Sequence, residues 1–141
     1  MFQKHQLEKG MTFVVQKEVD YHDTTVAFGR SGIETLLSTP ALVGMMIEAA
    51  VDLVGKRLPE GYITVMKKME LNHLKPTLQG MTVTVKALLE KAEGDALHFS
   101  FLCYDELGEI ALGSQERRIV NKAGLIARAQ ERASVLEDQN R

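Results

Sequence analysis

Residues 39–57 read TPALVGMMIEAAVDLVGKR, and this stretch decides the architecture. Thr39 carries a hydroxyl suited to capping a helix, and Pro40 suits the first turn, where its missing N–H is not needed. Leu42, Val43, Met45, Met46, Ile47, Ala49, Ala50, Val51, Leu53 and Val54 then cover most of the helical circumference. Only Gly44, Glu48, Asp52 and Lys56, spaced four apart, form a polar stripe. A helix this apolar is buried on most sides. Residues 39–57 are therefore expected to be a central helix.

Downstream the period changes from helical to two, the mark of half-buried strands. Over 62–73, Ile63, Val65, Met69, Leu71 and His73 are expected on one face, with Lys67 the exception. Met81, Val83, Val85, Ala87 and Leu89 make the next inward face, and Leu97, Phe99, Phe101 and Cys103 another. Glu93-Gly94-Asp95 is a hairpin signal, 105–109 with Gly108 a second turn, and 110–120 the last strand. Residues 122–137 have helical composition and are expected as an exposed or partner-packed terminal helix. Upstream, 12–19 reads as a strand, 20–31 as loop with a short strand at 24–28, and 1–10 as a loose arm. One helix must lie across one face of the sheet, since neither face is covered otherwise. The expectation is an α+β chain, one domain over 1–141, with an antiparallel sheet wrapped round a central helix: the hot-dog layout.

Composition narrows the function. The 141 residues carry a net charge of −2, which gives no overall basic field for nucleic acid or an anionic membrane. Cys103 is the single cysteine, so neither an intramolecular disulfide nor a cysteine-based zinc cluster is expected. The segment MFQKHQLEKG lacks the apolar run of a secretory signal, and a soluble, cytoplasmic protein is expected. There is no Gly-rich phosphate loop and no G-x-S-x-G elbow. The four histidines lack paired metal-ligand spacing, so no metal is expected.

Five positions are candidates for chemistry, each with a plainer alternative. His73 ends a strand on its apolar face, and is either a core-edge histidine or a general base near neutral pH. Thr39 is a helix cap, at a helix start whose free amides, from Ala41 onward, suit a carbonyl oxygen gaining charge. Glu48 is either part of a solvated or subunit-facing stripe or a site carboxylate. Arg117 and Arg118 face opposite ways on the last strand, as surface charge, a structural clamp or a phosphate contact. Met45, Met46 and Met66 read as core filler or pocket lining.

Taken together, Ser38-Thr39-Pro40-Ala41-Leu42, Glu48-Ala49-Ala50, His73-Leu74-Lys75-Pro76-Thr77, Gly80-Met81-Thr82-Val83 and Gly113-Ser114-Gln115-Glu116-Arg117 resemble the fluoroacetyl-CoA thioesterase-like family, over residues 12–121. The resemblance implies a hot-dog fold and hydrolysis of a small or medium acyl-CoA without a cofactor. It further implies a homodimer or dimer of dimers with sites at the subunit interface. Thr39 and His73 match the family's threonine and histidine, and Arg117 an arginine of the last strand. Aligned without a gap from Thr39, the family's glutamate falls on Ile47, with Glu48 the next residue. Met66 stands where the family has a glycine, and Gln115 where it has a histidine. The site implied is Thr39, Glu48 and His73 for catalysis, with Ala41, Met66, Gly80 and Arg117 against the substrate. The alternatives are an acyl-CoA-binding protein without turnover, or a hydratase or dehydratase in which Asp23 or Glu48 shares proton transfer with His73.

Overall fold

The structure is a computed structural model and describes residues 7–27 and 35–139. Its elements are β1 (Thr12–Glu18), α1 (Thr39–Val54), β2 (Tyr62–His73), β3 (Thr82–Glu93), β4 (Ala96–Asp105), β5 (Gly108–Asn121) and α2 (Lys122–Gln139). Two-residue loops join β3 to β4 and β4 to β5. Gly94, at φ +60°, makes the first of these turns where a side chain would be strained. The five strands form one antiparallel sheet in the order β1-β3-β4-β5-β2.

α1 packs on β3 and β1. Leu42, Met46, Ala49 and Ala50 of the helix are fully buried, as are Val83, Val85, Ala87 and Leu89 of β3 and Leu97 and Cys103 of β4. The alternation expected for β3 and β4 is thus the core alternation. Approach is tightest at Gly113, where a Cβ would overlap Met46 Cε and lie 2.9 Å from the Glu70 carbonyl oxygen.

Several expectations need correction. The central helix ends at Val54, and 55–57 is a turn of 3-10 helix. Ser38, not Thr39, is the cap: its side chain accepts the Ala41 amide, which places Thr39 and Pro40 inside the first turn. Residues 21–23 and 25–27 are short 3-10 helices rather than a strand, while the rest of the expected 24–28 strand, Phe28, lies outside the described residues. Of the expected arm, 7–10 lie against the body, with Leu7 6% exposed and the Gly10 amide bonded to Leu89 O at 2.8 Å. The rest of that arm, 1–6, lies outside the described residues.

β2 does not keep one face throughout. Its pairing with β5 runs Thr64↔Ile119 and Met66↔Arg117, then shifts at Lys67 to Lys68↔Glu116, Met69↔Gln115 and His73↔Ala111. The extra residue of this bulge reverses the facing of everything before it. Thr64 and Met66, rather than Ile63 and Val65, therefore share a face with Met69, Leu71 and His73.

Candidate active site

The first residue of α1 and the last residue of β2 meet at one end of the sheet. Three ties hold them there. The Leu37 amide donates to Thr77 O at 2.9 Å, and Leu36 forms a bridge with Leu78. Leu74 and Lys75 both donate to Ile110 O, at 2.8 and 3.2 Å. Buried Thr77 donates its hydroxyl to Asp105 Oδ2 at 2.8 Å. The segment entering α1 is thereby fastened to the segment leaving β2.

Because Ser38 caps the helix, the Thr39 hydroxyl is released from capping. It lies 2.8 Å from His73 Nδ1. In the neutral imidazole with its proton on Nε2, Nδ1 accepts from this hydroxyl. Nε2 itself is buried and has no hydrogen-bond partner among the described residues. Burial pushes the His73 pKa below its ordinary 6.5, so the ring is held neutral, with one nitrogen free to accept a proton, at neutral pH.

The pair opens onto a cavity of about 280 Å³ lined also by Leu36, Ser38, Leu74 and Lys75. A neutral imidazole, a hydroxyl hydrogen-bonded to it, apolar walls and one lysine can hold and deprotonate a water or the hydroxyl itself. No carboxylate lines this cavity among the described residues.

The other expected site residues lie elsewhere within the chain. Glu48 is exposed and sits nine residues beyond Thr39, about 13.5 Å along the helix axis. The Ala41 amide, expected to face a substrate, is taken by Ser38 Oγ at 3.1 Å, and the Leu42 amide by Ser38 O at 3.1 Å. Gly80 makes a turn at φ +95° and donates its amide to Val19 O. Met66 is 38% exposed on the outer strand. Met45 and Met46 are core residues.

Arg117 is 4% exposed and works as a clamp. Its Nε donates to Thr64 Oγ1 at 3.0 Å, one terminal nitrogen to Thr64 O at 3.2 Å, and the other to Gln115 Oε1 at 3.1 Å. Arg118 faces outward and pairs with Asp95 at 2.8 Å. Cys103 is fully buried, its thiol pushed up to about 12, and is no nucleophile. The residues missed in sequence are Ser38, Lys75 and Thr64. Adjacent hydroxyls at 38 and 39 were a usable signal that one caps while the other is spare.

Residues 19–123 match the family described as FlK, fluoroacetyl-CoA-specific thioesterase. The chain belongs to this family. It is 30% identical over 86 residues to the fluoroacetyl-CoA thioesterase of Streptantibioticus cattleyicolor, which is 61% of this chain and 62% of that protein. The match thus spans less than two thirds of that relative's length. A hot-dog-like protein from Thermanaerovibrio acidaminovorans superposes with a TM-score of 0.84 at 30% identity, covering 89% of this chain and 93% of the other. A variant of the fluoroacetyl-CoA-specific thioesterase FlK superposes at 0.83 with 25% identity, covering 92% and 99%. The fold of this family member is thus the α+β hot-dog fold. No helix among the described residues is long and apolar enough to cross a membrane.

Proposed function

We propose that the protein is an acyl-CoA thioesterase acting on a small or medium acyl-CoA, with Thr39 and His73 as its reacting pair. The observation that carries this reading is the 2.8 Å contact between Thr39 Oγ1 and His73 Nδ1 at the mouth of the cavity. His73 takes a proton from a water, or from the Thr39 hydroxyl, as that oxygen attacks the thioester carbonyl. The C–S bond breaks, CoA departs as thiolate, and the proton held by His73 passes to it. If Thr39 is the nucleophile, a water repeats the step on the acyl-threonine and returns the free acid. Pro40 has no N–H and those of Ala41 and Leu42 are committed, so the Thr39 N–H is the first-turn donor left for the developing oxyanion.

A homodimer or dimer of dimers, with sites at subunit boundaries, fits the outer edge of β2, which pairs with no strand among the described residues. Glu48, Met66, Gly80 and Arg117 lie outside the cavity of their own chain, and they serve a site only where a second subunit meets them. The location proposed is the cytoplasm, and cell fractionation checks it.

The test is a panel of acyl-CoA thioesters assayed for free thiol. Turnover lost in His73→Ala supports the reading, and an early burst of thiol marks Thr39 as nucleophile. One observation favours acyl-CoA binding without turnover: among the described residues no carboxylate lines the cavity and His73 Nε2 has no acceptor, so a protonated ring has no charged partner there. Tight binding with no thiol released selects that alternative.

A further inference from the structure

α2 rises from β5 beside the outer edge of the sheet, where Lys122 donates its amide to Gly61 O at 2.9 Å. Asn121 Oδ1 accepts the Gly124 amide at 2.9 Å and starts the helix. From there 18 residues, about 27 Å of helix, run on with none of them buried. Ile126 and Leu136 are 46% and 62% exposed.

Four of its apolar residues fall on one line, with Leu125, Ala127 and Val135 off it. Ile126, Ala129, Ala133 and Leu136 follow one another at steps of three, four and three. That is the a/d alternation of a two-stranded coiled coil, with Ile at a and Leu at d at the two ends. Small alanines between them let two backbones come close. In the same register Arg132 falls at g and Glu137 at the following e. In a parallel pair, g of one helix lies beside the next e of the other, so two Arg132–Glu137 ion pairs flank the seam.

The helix's own charges argue that it is not built to stand alone. Lys122 occupies the first turn, while Glu137 and Asp138 lie in the last. Each has the sign that the helix dipole disfavours at that end. Neither Glu137 nor Arg132 has an ion pair among the described residues, which leaves both open to a partner on another chain.

We infer that α2 is a homotypic interface, pairing in parallel with α2 of a second copy through Ile126, Ala129, Ala133 and Leu136 and the Arg132–Glu137 contacts. This surface is separate from the β2 edge, and the inference does not rest on thioester chemistry. Where copies also pair along β2, α2 joins those pairs into larger assemblies. The seam is only about two heptads long, so pairing is concentration-dependent.

Sedimentation equilibrium of the full chain, in multiples of 15.7 kDa, tests it with exposed charge substitutions that leave the cavity untouched. Arg132→Glu and Glu137→Arg should each halve the mass of the wild-type assembly. The double variant Arg132→Glu/Glu137→Arg should restore it. Single reversals that leave the mass unchanged, or a double variant that stays at half mass, overturn the pairing. Thiol release measured on the same samples reports separately on the thioesterase reading.

Discussion

The state of His73 depends on burial and on one hydroxyl. Burial lowers its pKa because the charged ring loses hydration, while Thr39 satisfies Nδ1 of the neutral form. Its pKa is lower folded than unfolded, so the unfolded chain binds the proton more readily in that window. Stability from this group is therefore full above the ordinary 6.5 and is lost as pH falls through the folded pKa. The acid limb of kcat/KM should likewise inflect below 6.5, and a pH–rate profile with a Thr39→Val control checks it. At Gly113 the outcome is steric. Gly113→Ala puts a methyl into Met46 Cε and the Glu70 carbonyl, and should lower stability by about 1–3 kcal/mol in urea unfolding. In sequence, His73 and Thr39 were visible as residue types at element ends. Their hydrogen bond was not, because it depends on the Leu37–Thr77 and Leu74–Ile110 ties between segments distant in the chain.

Among the elements, α1 was the most legible, since sixteen residues of helical period leave little room for another reading. Its cap was less so: Ser38 and Thr39 are both competent, and only the fold shows that the second is occupied by His73. Ser38→Ala should therefore cost about 1 kcal/mol of stability, read as a fall in Tm. It should also reduce thiol release, since the Thr39 hydroxyl could then turn to capping. β3 and β4 followed their alternation throughout the core. β2 did not, because a bulge at Lys67 changes the facing without leaving a sequence mark as strong as a glycine. The same bulge sets Thr64 beside Ile119 and within reach of the Arg117 guanidinium, so that Arg117 locks β2 onto β5.

At the scale of the molecule, the architecture brings Thr39 and His73 together at one end of the sheet and leaves exposed the outer edge of β2 and the apolar stripe of α2, the two surfaces proposed above for other copies. The hot-dog layout was legible because a buried helix followed by four strands with tight turns admits few other arrangements. The expectation of an acid in the site came from the resemblance, and among the described residues no carboxylate lines the cavity. Glu48 lies on the exposed side of α1, away from the cavity that Thr39 and His73 line. The central claim is that Thr39 and His73 together break a thioester. Its most direct test is steady-state thiol release from short acyl-CoA substrates by wild type and His73→Ala. The account predicts a fall in kcat of about 10²–10⁴ with binding retained; a variant that turns over at the wild-type rate would contradict it.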